Sequence, residues 1–333
     1  MSASATRTKR PTTAADVAKF LGVSRATVSD IMNGREARFP EETRAKVRAA
    51  ADELDYRPSP AGRSLKTGRS DTIVVVMPDT TIGQNLQTAL ERLTADTKGI
   101  GSNVVLRFAD SDPETTAAAL ISLRPMAVVD FGSLDHMARE RLAAQGIPTV
   151  PDIAHPMRVD GRGMQDAIAE IQVAALSERG PRQFVYAAIA DERPDPYGPA
   201  RLQGVRSACE RRGLAEPLHI GISPTVESAT AALGEIAGSA PLAVAAYNDE
   251  IALAVMAAAS RLGLMIPDDV AVAGVDATNV GKLWHPPLTS VSVDMGAMMA
   301  QTLTELTDAL GMGSIPTVGT SPTVLTLVPG ESS

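Results

Sequence analysis

Residues 12–66 form the stretch that most constrains this chain. Thr13 is positioned to cap a helix, and Asp16, three residues on, completes a capping box. Val17, Phe20 and Leu21 then recur at helical spacing and are expected to share one inward face. Gly22 stops that helix, and Ser24 caps a second one with Val28 and Ile31 or Met32 facing inward. Two short helices joined by a tight glycine-containing turn match the helix-turn-helix unit, whose second helix offers its first residues to base edges in the major groove. Pro40 suits a first helical position, and Glu41 and Glu42 complement the positive end of the helix dipole. A third helix is therefore expected from Pro40 to about Leu54, closing a small core through Val47 and Leu54.

Beyond it, Ser59 caps, Pro60 suits a first turn and Gly68 stops, which gives about two turns of helix carrying an exposed Leu65. A helix that short is marginal alone. Its folding is expected to wait for contact with a partner.

Charge supports a nucleic-acid reader. Over the whole chain of 333 residues the net charge is −8, which by itself argues against DNA. Residues 1–69, however, carry 14 Lys+Arg against 8 Asp+Glu, a net of +6, and the rest carry 17 against 31, a net of −14. A basic head on an acidic body is the asymmetry of a DNA reader with a separate sensing module. The single cysteine, Cys209, excludes an internal disulfide, as is usual in the cytoplasm. No apolar run approaches the roughly 20 residues of a membrane span. Residues 1–11 are polar and read as a disordered basic arm rather than a signal segment.

After Ser70 strands and helices alternate. The run Thr72–Met77 is continuously apolar and ends at Pro78–Asp79, as a buried parallel strand does. Further strands are expected at 103–108, 126–131, 184–189, 218–222, 243–247 and 270–275, with helices between them. Two consecutive βα series imply an α/β body of two doubly wound lobes, with ligands outside the carboxyl ends of the strands.

The strings AADVAKFLGVSRATVSDIMNG, RFPEETRAKVRAAADELDYRPSPAGRSLKTGRS, AVAAYNDEIALAVMAAASRLGLMIPDDVAVAGVDATN and PPLTSVSVD resemble the lactose/galactose-repressor (LacI/GalR) family of bacterial transcription regulators, over nearly the whole chain after the first eleven residues. The resemblance implies a helix-turn-helix DNA-binding domain over 12–58, a hinge helix and linker over 59–69, and a periplasmic-binding-protein-like core. In that core, 70–157 with 289–318 would form the N-terminal lobe and 158–288 with 319–333 the C-terminal lobe. It implies a non-enzymatic repressor that binds a pseudo-palindromic double-stranded DNA operator as a cytoplasmic homodimer. A small-molecule effector, by family default a sugar or related metabolite, would bind in the inter-lobe cleft. DNA contacts are expected from Thr13, Ser24, Arg25, Ala26, Thr27, Ser29, Asp30 and Asn33, and from Arg63, Leu65 and Lys66 in the hinge, with Leu65 matching the family's minor-groove wedge. Effector contacts are expected from Asp79, Arg201, Asn248 and Asp276; a helix cap remains the alternative for Asn248 and its neighbour Asp249.

Several departures weaken the sugar reading. Thr80–Gln84 stands where the family carries an aromatic pair, and Ile222-Ser223-Pro224 where it often carries a stacking aromatic. Gly62 stands where the hinge usually has alanine, which costs about 1 kcal/mol of helix propensity. The alternative is an effector-independent architectural or co-regulator protein whose core only dimerises. Trp284 suits either a subunit contact or an intramolecular core. No phosphate-binding glycine motif follows a strand, and the four histidines lack metal-ligand spacing, so neither a cofactor nor a metal is expected.

Overall fold

The computed structural model describes residues 12–32, 36–57, 70–78, 84–97, 102–152, 158–159, 162–190, 197–239, 241–312 and 324–333. The chain divides into two compact units, Met1–Asp71 and Thr72–Ser333. The expected arm, Asn33, the hinge with Gly62, Arg63, Leu65 and Lys66, and Asp79 lie outside the described residues.

The first unit is a three-helix head: α1 (Ala14–Leu21), α2 (Arg25–Met32) and α3 (Glu41–Glu53). At the start of α1 the Thr13 backbone N–H and hydroxyl both donate to the Asp16 carboxylate, at 2.8 and 2.6 Å. Gly22 ends the helix with φ +69°, the left-handed region that glycine enters without strain. Ser24 accepts from the Thr27 backbone N–H at 3.0 Å and so caps α2. Val17, Val28, Ile31, Val47 and Tyr56 fill the core between the three helices. Phe20 departs from expectation: it is 54% exposed rather than packed beside Val17 and Leu21. At about 100° per residue, position 20 lies roughly 110° from the centre of the stripe formed by Val17, Ala18 and Leu21. The core can seat only one side of so short a helix.

The second unit holds two sheets. In the first, β1 (Thr72–Met77), β2 (Asn103–Phe108), β3 (Ala127–Asp130) and β4 (Thr149–Val150) lie parallel in the order β2-β1-β3-β4. Helices α4 (Gln84–Thr97), α5 (Pro113–Leu123) and α6 (His136–Ala144) cover it. A short antiparallel pair follows, β5 (Arg158–Val159) with β6 (Arg162–Gly163). The next elements, in chain order, are α7 (Met164–Ser177), β7 (Gln183–Ile189), α8 (Gly198–Arg211), β8 (Leu218–Ile222), α9 (Val226–Ile236), β9 (Leu242–Ala246), α10 (Asp249–Arg261), β10 (Val270–Val275), α11 (Asn279–Leu283), β11 (Thr289–Val293), α12 (Met295–Ala309) and β12 (Leu325–Val328). The second sheet runs β12-β11-β10-β9-β7-β8, and only β12 is antiparallel. Strands β3, β9 and β10 are buried along their whole length, as sheets covered on both faces require.

One expected lobe boundary is displaced. The resemblance implies that 289–293 belong to the first lobe, yet β11 pairs with β10 in the second sheet, Ala273 opposite Thr289, and Val291 packs against Val275 and Ile168. The chain leaves the second lobe after Val293. There Asp294 caps α12, accepting from the Ala297 N–H at 3.0 Å, and α12 buries Met299, Leu303 and Leu306 against the first sheet. The tail returns to the second lobe. The Ser332 hydroxyl donates to the Val272 carbonyl at 2.7 Å and accepts from the Thr289 N–H at 2.9 Å.

Candidate nucleic-acid interface and ligand cleft

The first turn of α2 carries Arg25 and Ala26 fully on the surface, with Thr27 and Ser29 half-exposed behind them. The Thr27 hydroxyl lies 2.9 Å from that of Ser24, so the cap and the third helical residue share one hydrogen-bonded corner. Asp30 is drawn away from that surface. Its side chain is only 15% exposed and forms an ion pair with Arg38. An aspartate held there fixes the segment after α2 to the helix, a job distinct from reading a base edge. Around α3, Arg48 pairs with Glu36 at 2.5 Å and Arg44 with Glu41 at 3.1 Å. These ion pairs brace the head without filling its core, and exposed pairs of this kind contribute at most about 1 kcal/mol each.

In the second unit, the carboxyl ends of β9 and β10 bring Asn248 and Asp276 to neighbouring strand ends. Asn248 caps α10, its side-chain oxygen accepting from the Ile251 N–H at 3.0 Å, so the capping role weighed for it is occupied. Asp249 is buried. It accepts from the Ser290 hydroxyl at 2.5 Å and from the Thr278 N–H and hydroxyl at 2.6 and 2.8 Å. Burial holds its carboxyl above the ordinary range, and those three donors offset only part of that shift. Their effect is to pin the turn after β10, where Asp276 takes φ +102° and Ala277 φ +48°, both unusual for side-chain-bearing residues.

Arg201 sits on the first turns of α8. Its Nε donates to Gln165 at 2.8 Å, another guanidinium N–H donates to the Tyr247 carbonyl, and the guanidinium lies 4.5 Å from the centre of the Tyr247 ring. Gly204 makes this possible. A β-carbon there would meet the Gln165 carbonyl at 2.9 Å and the Ala169 side chain at 3.0 Å, so only glycine lets α8 lie this close to α7. Arg201 is thus tied into the second lobe on two sides.

A cavity of about 660 Å³ opens between the two lobes. The end of β3, Pro151 and α12 supply one wall, and the start of α7 with one face of α8 supplies the other. Arg201, Asn248 and Asp276 do not line it. Among the described residues a hydrogen bond crosses between the lobes here: the Tyr197 hydroxyl donates to the Phe131 carbonyl at 2.7 Å. Asp130, at the end of β3, lies fully buried beneath the cavity and pairs with Arg139 at 2.5 Å. It also accepts from the backbone N–H groups of Ser133 and Leu134. Burial holds its carboxyl above the ordinary range, against the opposing pull of the guanidinium and the two N–H groups. Neither Asp130 nor Tyr197 was singled out in the sequence. Asp130 lies inside the strand expected at 126–131, so the rule that picks Asp79 and Asp276, an acid after a buried strand, passes over it; the structure ends that strand at Asp130 itself.

Cys209 is buried in α8, and desolvation pushes its thiol up to about 11, so it is an inert core residue. Among the described residues no cluster of His, Cys, Asp or Glu is placed to hold a metal, and no helix is long and apolar enough to cross a membrane.

These features agree with comparisons to known proteins. Residues 13–59 match the family model described as bacterial regulatory proteins, lacI family, and residues 173–333 match that of a periplasmic binding protein-like domain. The HTH-type transcriptional regulator DegA of Bacillus subtilis is 30% identical over 312 residues, covering 87% of this chain and 89% of that protein. The chain belongs to the LacI family. Catabolite control protein A of Staphylococcus aureus is 25% identical over 311 residues, covering 87% of this chain and 91% of the relative. Among solved structures, the Lac repressor dimer bound to operator and the anti-inducer ONPF superposes with a TM-score of 0.78 at 22% identity, covering 97% of this chain and 99% of that one. The CelR–cellobiose complex superposes with a TM-score of 0.62 at 26% identity, covering 97% and 100%. This LacI-family member is a DNA-binding transcription regulator and not an enzyme.

Proposed function

We propose that this LacI-family regulator is a cytoplasmic repressor that binds a pseudo-palindromic operator as a homodimer and answers to a small molecule held between its lobes. The observation that carries the reading is the joining, in one chain, of a capped recognition helix with Arg25 and Ala26 on its exposed first turn to a two-lobed body with a cavity between the lobes. Base contacts are assigned to Arg25, Ala26 and their neighbours, and Asp30 to bracing rather than reading. Dimerisation is supported by apolar side chains left on the surface of the body. Val105, Leu106 and Phe108 lie exposed on the edge strand β2, and Leu283, 85% exposed, stands beside Trp284, 38% exposed, at the end of α11. Trp284 therefore suits a subunit contact better than an internal core. A twofold dimer presents two recognition helices to two half-sites about one helical turn apart or multiples of that.

The commitment of Arg201 and Asn248 to internal bonds favours the alternative in which the core only dimerises; the inter-lobe cavity weighs against it. Selection of binding sites from random duplex DNA tests the operator claim, and the reading predicts an inverted repeat. A metabolite screen by thermal shift, with operator affinity measured for every hit, tests the effector claim. Recovery of no consensus sequence, or of a lone half-site, refutes the dimeric repressor. A screen in which no hit changes operator affinity leaves the core as a dimerisation module.

A further inference from the structure

The inter-lobe cavity has a chemical character of its own. Its wall is chiefly apolar, built on Val129, Phe131, Pro151, Met164, Met298 and Met299. Three of these are methionines, whose flexible, polarisable side chains fit irregular apolar shapes rather than fixed arrays of hydroxyl groups. The charged groups at its edge are already matched. Asp130 is held by Arg139, and Asp166 pairs with Arg211 at 3.1 Å. Among the described residues the polar lining groups are few and partly engaged, and Gln203 donates to Ser207 at the exposed edge. The Tyr197 hydroxyl is given to Phe131, the Gln165 side-chain oxygen receives Arg201, and the Thr302 hydroxyl donates to the Met298 carbonyl at 3.1 Å.

A polyhydroxy ligand entering this space would leave its water and find few directional partners, and a buried hydroxyl without a partner is penalised. A charged ligand would meet no unmatched counter-charge among these groups. An apolar one loses only unfavourable hydration, and about 660 Å³ lies within the usual range for small-molecule sites.

We propose that this cavity takes an uncharged, largely apolar small molecule rather than a sugar. The proposal rests on the effector reading above for its regulatory meaning but not for its chemistry. The test uses the full chain and the uncharged fluorophore N-phenylnaphthylamine as probe. Saturable fluorescence enhancement at one probe per chain is expected, with no displacement by millimolar mono- and disaccharides. Ala200 and Gln203 lie exposed on α8 at the edge of the cavity, so a large side chain at either fills the space without disturbing the core. Ala200→Trp is expected to weaken the probe at least about ten-fold while the circular dichroism spectrum stays that of the parent. Gln203→Trp replaces it if that variant does not fold. Absence of saturable binding, or binding unchanged in the tryptophan variant, overturns the proposal. So does a saccharide that binds and is excluded by the same variant. Operator affinity measured with and without probe separates the two claims. Probe binding in the cavity with unchanged operator affinity supports the ligand class and refutes the effector reading. A saccharide that shifts operator affinity and is blocked by Ala200→Trp does the reverse.

Discussion

Gly204→Ala sets two effects of opposite sign against each other at one position. Alanine is the better helix former by about 1 kcal/mol, so in an isolated helix the change would stabilise. Here the added methyl group meets the Gln165 carbonyl at 2.9 Å, the Ala169 side chain at 3.0 Å and the Asp166 α-carbon at 3.1 Å. Two of those three are backbone atoms of α7, which cannot rotate away. Relief requires α7 and α8 to separate by several tenths of an ångström, and overpacking of this kind costs about 1–3 kcal/mol. The clash should win on balance, leaving a net loss of about 0–2 kcal/mol, centred near 1 kcal/mol. For a body of this size, that lowers Tm by about 2–4 °C per kcal/mol. The same movement draws Arg201 off Gln165, now 2.8 Å away, so a ligand response that depends on the placement of α8 should weaken too. Differential scanning calorimetry of parent and variant decides the sign. Helix propensity acts at this site whatever the packing, so a variant with raised Tm would show that α7 and α8 part without cost and that Gly204 is not the reason the helices meet.

Three further outcomes are expected. Arg25→Ala should weaken operator binding by about 1–3 kcal/mol and relax preference at one base pair in each half-site; equal weakening on every sequence in a competition assay would make Arg25 a phosphate contact. Tyr197→Phe removes the bond to Phe131 and should favour open lobes by about 0.5–1.5 kcal/mol, read as a larger radius of gyration in solution scattering; an unchanged radius would show that the bond does not hold the lobes. Glu170 is pushed up by burial, but Arg211 and Arg212 together hold it below its ordinary value. Its contribution is therefore fully present above about pH 4.3 and lost as pH falls through the lowered value, so Glu170→Gln should flatten the acid side of the Tm-against-pH curve.

Much of the architecture was legible because each βα unit announces itself locally. Strands 103–108, 218–222 and 270–275 fall where apolar runs and flanking turns place them, although only the last is buried along its whole length and the first two are edge strands with largely exposed side chains. Phe20 was misplaced because spacing alone does not say how wide a stripe a two-turn helix can bury. The boundary at 289 failed for a different reason. Whether Thr289–Val293 joins the first or second sheet depends on its edge partners, β10 and β12, and β12 lies about thirty residues later. Non-local pairing leaves no mark on the strand itself. The candidate ligand site shows the same division. Strand ends predicted where Asn248 and Asp276 would stand, yet their neighbours turned one of them into a helix cap and set the other on a strained turn. Tyr197 and the methionines of α12 acquire their place only when two lobes, each readable alone, face one another. A candidate site assembled between two sheets is thus the part of such a chain that local sequence describes least, and its chemistry follows from which side chains the surrounding protein has already satisfied.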